Sequence, residues 1–159
     1  MNPKWYTKKF NGPGLRCEIG ICIQTGWIVW VHGPFAPGEW PDLNIALDSV
    51  VWMLEGDERI VADGGYPGYP MFFDTPHEGG FDNEYQSTRK TLVRARHECI
   101  NRRLKCWQIL KQVYRHDIHE HGTHFRAVAN LEQLNLMEMG TQWHVNYFDR
   151  IHNDLDFDY

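Results

Sequence analysis

Residues 15–32 hold two apolar, strand-forming runs, LRCEIGICIQ and WIVWVH, split at Thr25-Gly26. This pairing constrains the fold more than any other stretch of the chain. β-branched and aromatic side chains suit a pleated, half-buried surface. A short glycine-containing break between two such runs reads as the turn of an antiparallel hairpin. The second run is apolar almost throughout, so both of its faces are expected to be covered.

Beyond the hairpin, residues 33–41 (GPFAPGEWP) form a loop dense in proline and glycine. Asp42 then stands at a helix N-cap position, with Ile45, Leu47, Val50, Val51 and Leu54 as an apolar side up to Gly56. A short buried strand is expected over Arg59–Ala62, running into Asp63-Gly64-Gly65-Tyr66-Pro67. A further short strand over Met71–Phe73 precedes a polar loop, residues 74–83. A long helix is expected from about Glu84 to Lys111, because Val93, His97, Ile100, Leu104 and Trp107 recur at spacings of three and four. A second helix, from about His121 to Met139, carries Phe125, Val128, Ala129, Leu131, Leu134 and Leu136. The tail, residues 148–159, alternates acids with aromatics and is expected to be peripheral. Strands followed by helices, with a strand–helix–strand crossover, make a layered α/β or α+β domain. The 159 residues suffice for one core, and no repeat or second domain is visible.

Composition narrows the classes further. No apolar run approaches the roughly 20 residues that a membrane span needs, and the polar start is no secretory signal, so a soluble, intracellular chain with no membrane partner is expected. Cys17, Cys22, Cys99 and Cys106 form no CxxC pair and are expected to be reduced thiols, the last two on one side of a helix. Trp27, Trp30, Trp52 and Trp107 are assigned to the core, and Trp40, beside Pro41, is a candidate contact residue.

The formal net charge of −5 hides an asymmetry. Between Arg89 and Arg115 stand nine basic residues and one acid, Glu98, a net +8. The remainder, with seven basic and twenty acidic residues, carries −13. A basic stripe on an acidic body suggests a local anion-binding surface; a solvated helix face is the plainer alternative.

Two carboxylates could carry chemistry. Asp63 ends an apolar strand and precedes two glycines, a setting that recurs at phosphate and metal sites; a turn-forming aspartate is the plain alternative. Glu98 lies off the core stripe of its helix, among Arg94, Asn101, Arg102 and Lys105. It could form surface ion pairs with Arg94 and Arg102, each worth about 0.3–0.5 kcal/mol. It could instead be a metal-binding carboxylate among cations that hold phosphates. Hard divalent cations want oxygen ligands, and phosphodiester chemistry wants several carboxylates converging to acidify a water and stabilise the leaving oxygen. Asp63 and Glu98 together suit such a site.

In order and spacing, KWYTKKFNGPGLRCEIGICIQTGWIVWVHGPFAPGEWPDLNIA, VADGGYPG, RARHECINRRLKCWQIL and HGTHFRAVANLEQLNLMEMG resemble the DDE superfamily endonuclease domain of Harbinger-like transposases. The resemblance covers nearly the whole chain. It implies a ribonuclease-H-like α/β fold, a mixed sheet with flanking helices, and Mg²⁺- or Mn²⁺-dependent DNA cleavage and strand transfer. It places the second catalytic aspartate at Asp63 and the catalytic glutamate at Glu98, both as metal ligands. Asp42, in Trp-Pro-Asp, matches a recurrent family aspartate outside the metal-binding three. Nuclear localisation and a companion DNA-binding protein are also implied, since no helix-turn-helix or zinc finger is visible here. Arg94, Arg102, Arg103 and Lys105 are the expected DNA-backbone contacts.

In the family, the first aspartate lies on a strand immediately before the Lys-Trp-Tyr segment, and no residue of Met1–Phe10 is acidic. The expectation is therefore a partial domain, residues 1–147, lacking its first and central strand, with little or no cleavage activity in this form. The alternative is a domesticated or decayed remnant that binds DNA or a protein without catalysis. His116, His119, His121 and His124 cluster but match neither HExxH nor a zinc finger. ADGGYPG lacks the lysine and hydroxyl residue of a P-loop. Asp154, Asp156 and Asp158 lack the glycine and distal glutamate of a calcium loop.

Overall fold

A computed structural model of the chain describes residues 2–9, 11–76, 84–141 and 145. The acidic-aromatic tail and residues 77–83 of the polar loop lie outside the described residues. A 3-10 turn at Pro3–Trp5 leads into a small ladder of β1 (Tyr6–Thr7) and β2 (Gly12–Pro13). The expected hairpin follows: β3 (Arg16–Ile21) lies antiparallel to β4 (Ile28–Phe35), with Glu18 opposite His32 and Gly20 opposite Trp30. β4 is not covered on both faces. The register shifts between the Gly20–Trp30 and Ile21–Ile28 pairs, and Val29, the extra residue, is 65% exposed. A residue left out of the ladder by such a bulge is turned away from its neighbours.

Helix α1 (Asp42–Asp48) is shorter than its apolar pattern suggested, and a 3-10 turn at Val50–Met53 takes over. Asp42 is the first helical residue rather than the cap. Pro41 holds the cap position without a side-chain hydrogen bond, and the Asp42 carboxylate turns to Arg16 Nε at 2.9 Å. Strand β5 (Ile60–Val61) pairs in parallel with β6 (Phe73–Asp74), with Val61 beside Asp74. The long helix divides into α2 (Glu84–Leu104) and α3 (Gln108–Lys111). Between them Trp107 is extended, and its indole donates to Glu132 Oε1 at 2.7 Å; the chain leaves the helix where that contact is made. Helix α4 (Ile118–Met139) begins earlier than expected, where Asp117 Oδ1 caps the amide of His119 at 3.0 Å.

Two apolar clusters hold these elements. In one, Ile100 and Leu104 of α2 meet Phe125, Val128, Ala129 and Leu136 of α4, with Ile19, Ile28 and Val31 of the hairpin packed against them. In the other, Ala46 and Val51 meet Ala62 and Phe73, bringing α1 onto the β5–β6 ladder. The buried stripe of α4 runs through Phe125, Val128, Ala129, Glu132 and Leu136, which the helical repeat places on one face. Leu131 and Leu134, counted as core from the sequence, fall on the exposed side. Gly122 lets α4 approach β4: a Cβ there would lie 2.9 Å from Pro34 Cδ and 3.1 Å from the Gly33 carbonyl. Trp52 was also counted as core, but it sits on the 3-10 turn and is 80% exposed.

The chain is thus a mixed α/β structure. Among the described residues its strands form three separate two-stranded ladders rather than one mixed sheet. β3 and β5 share no hydrogen bonds. Helices α1 and α2 bridge the interval between their ladders, α1 touching β3 and α2 touching β5.

Candidate metal and nucleic-acid site

Asp63 lies just past the carboxyl end of a parallel strand pair. The pair is short but bonded at both ends, by the Ile60 amide to the Phe72 carbonyl (2.8 Å) and the Ala62 amide to the Asp74 carbonyl (3.1 Å). In α/β sheets this is the edge at which ligands bind. Asp63 is exposed, and its Oδ1 accepts the Gly65 amide at 2.8 Å, so the turn-forming role considered from sequence is real. A Cβ on residue 65 would stand 2.9 Å from Asp63 Oδ1 and would push that carboxylate aside. The single bond leaves the carboxylate's other lone pairs able to ligate.

Glu98 is exposed on α2, and α2 packs against β5, the strand leading to Asp63. The surface ion pairs weighed for it with Arg94 and Arg102 do not form; among the described residues Glu98 has no ion-pair partner. Oxygen donors such as these two carboxylates suit a hard divalent cation. Among the described residues, however, no group of three His, Cys, Asp or Glu side chains is arranged to hold a metal. The structure packs α2 against β5.

The basic stripe is less uniform than its sequence implied. Lys90 and Arg96 are 5% exposed and belong to the interior: Lys90 Nζ meets Asp74 Oδ1 at 2.7 Å, and an Arg96 guanidinium nitrogen donates to the Ile23 carbonyl at 2.7 Å. Arg103 is half-buried and commits Nε to Glu132. Arg94 is half-buried, whereas Arg102 and Lys105 are exposed.

Sequence reasoning missed an acidic group around Tyr66, whose ring packs at a tilt against Phe73 with centroids 5.0 Å apart. Its hydroxyl is pushed well above its ordinary pKa, first by burial and then by the charges of Asp42, Glu18 and Asp63, with Arg16 opposing. Glu18 accepts from Trp30 Nε1 at 2.7 Å and Ser49 Oγ at 3.1 Å, and burial raises its pKa despite those bonds. A lone acid within LRCEIGICIQ was the signal available in the sequence.

His116, His121 and His124 pack as rings about Tyr114. Its hydroxyl lies 2.7 Å from His124 Nδ1, and its ring centroid lies 4.8 Å from that of His121. All four cysteines are free; Cys99 is half-buried on α2, whereas Cys106 lies exposed beyond the end of that helix. No helix among the described residues is long and apolar enough to cross a membrane.

A parallel strand pair that leads to an exposed aspartate, against a helix with an exposed glutamate and cations, lies within a mixed α/β arrangement compatible with a nuclease domain. Residues 1–133 match the family model described as DDE superfamily endonuclease, and the chain belongs to that family. No curated protein and no solved structure matched the chain. DDE endonucleases act on DNA and generally use divalent metals.

Proposed function

We propose that the chain is a Harbinger-like, transposon-derived nuclease domain of ribonuclease-H-like descent, in which Asp63 and Glu98 supply two of three carboxylates for Mg²⁺ or Mn²⁺. The observation that carries this reading is the packing of α2, with Glu98 exposed, against β5, which leads to Asp63. A bound divalent ion would acidify a water and offset charge on the scissile phosphate. The chain's own residues would hold that ion and the DNA backbone. Asp63 and Glu98 would present oxygen ligands, and Arg94, Arg102 and Lys105 would neutralise backbone phosphates without reading bases. Arg103 would join them through the guanidinium nitrogens not engaged by Glu132.

The third carboxylate would come from the strand that, by the resemblance, precedes the Lys-Trp-Tyr segment and sits between β3 and β5. Support for this comes from the placing of β3 and β5 in separate ladders among the described residues. Cleavage by this chain alone should be slight. A protein extended upstream to include that strand should cut DNA with Mg²⁺ or Mn²⁺, in the nucleus and with a companion DNA-binding protein. Intact DNA after incubation of the extended protein with either metal, together with no effect of Glu98→Gln, would refute the catalytic assignment.

A second reading is a domesticated or decayed remnant that binds DNA or a protein without catalysis. It predicts DNA binding by the 159-residue chain that does not respond to divalent metal.

A further inference from the structure

Helix α2 is held unevenly along its length. Its buried apolar residues, Ile100 and Leu104, lie in its last turns; among the described residues none lies before them. The first half is attached through polar groups instead. Lys90 Nζ meets Asp74 Oδ1 at 2.7 Å, with side-chain exposures of 7% and 18%. Further along, His97 Nε2 lies 3.3 Å from the Ile19 carbonyl, and Arg96 reaches the Ile23 carbonyl. The helix thus reaches from the β5–β6 ladder at Lys90 to the β3–β4 hairpin at Arg96 and His97.

Apolar contact is non-directional and lets a helix rotate or slide at small cost. A charge-assisted hydrogen bond at 2.7 Å between two largely buried groups fixes both rotation and axial register. Asp74 is paired with Val61, two residues before Asp63, and Lys90 stands two turns before Glu98.

We infer that the Lys90–Asp74 pair is a positioning device that sets Glu98 of α2 against Asp63 beyond β5. This inference rests on reading those two carboxylates as partners in one site. Lys90 and Asp74 contact neither metal nor DNA in this account; they act through the helix and the strand they join. A buried ion pair is a weak stabiliser relative to well-packed apolar residues, and the role inferred for this one is to fix geometry. Lys90→Met with Asp74→Leu should therefore keep the fold and lose the geometry.

The test measures the distance between spin labels at Asp63→Cys and Glu98→Cys, with Cys17, Cys22, Cys99 and Cys106 changed to Ser, by pulsed electron resonance. Labels replace both carboxylates, so the reading does not depend on metal. The parent should give one narrow distance. Lys90→Met/Asp74→Leu should keep a cooperative thermal transition while the distance shifts or spreads. The parent distance, unshifted and equally narrow in that folded double variant, would overturn the inference, as would a broad distribution in the parent. Failure of the site reading shows separately, as absence of Mn²⁺ binding by the unlabelled wild-type chain.

Discussion

Arg103 donates through Nε to Glu132 Oε2 at 2.9 Å, in the seam between α2 and α4. The other oxygen of Glu132 accepts the Trp107 indole at 2.7 Å, so one carboxylate, 8% exposed, ties the end of α2, the break after it and the middle of α4. Glu132→Ala removes the acceptor for both groups and leaves a partly buried guanidinium unpaired. The expected loss is about 3–5 kcal/mol, read as a lower urea midpoint with unchanged slope.

His121 links stability to pH. It is 7% exposed, its Nδ1 has no hydrogen-bond partner, and burial, then the neighbouring His124, lower its pKa below the ordinary 6.5. The unfolded chain then binds a proton more readily than the folded chain. The stability from keeping this imidazole neutral is full above 6.5 and is lost as pH falls through the lowered value. Thermal midpoints measured from neutral pH downward should fall in the wild type and fall less steeply in His121→Leu.

A fully buried side chain of α1 should respond to volume, and the exposed tryptophan should not. Ile45 is 1% exposed, so Ile45→Val is expected to cost about 0.5–1.5 kcal/mol. Trp52→Ala, at 80% exposure, should stay within about 0.5 kcal/mol of wild type. Chemical denaturation of the two variants checks the contrast.

Under the proposed DNA contacts, Arg102 and Lys105 act through charge. Arg102→Ala and Lys105→Ala should each weaken duplex binding similarly across sequences and lower the slope of log affinity against log salt by about 1. Arg103→Ala should in addition lower stability, because its Nε holds Glu132. Fluorescence anisotropy over a salt series separates the two effects.

Much of this architecture was legible because local pattern and tertiary environment agree. The hairpin follows from its β-branched runs and glycine turn, and the α4 core from the spacing of Phe125, Val128, Ala129 and Leu136. Asp63 stood out because an apolar strand ends in a glycine pair. What escaped depends on partners distant in the chain. The end of α2 turns on Trp107 meeting Glu132, and the outward turn of Val29 on a bulge in the pairing with β3. Lys90 within a basic run looks like a solvated cation until Asp74, from a different strand, is seen to bury it. Glu18 and Tyr66 likewise gain meaning only once β3, α1 and the turn after β5 converge.

The most direct test of the central claim, that Asp63 and Glu98 serve one divalent-ion site, is calorimetric titration of Mn²⁺ into the folded 159-residue chain and its Asp63→Asn, Glu98→Gln and double variants. The account predicts that each single substitution weakens binding by more than the roughly 10–100-fold cost of losing an outer-shell partner, and that the double variant loses little beyond either. Mn²⁺ affinity unchanged in either single variant, or no Mn²⁺ binding by the wild type, would contradict it.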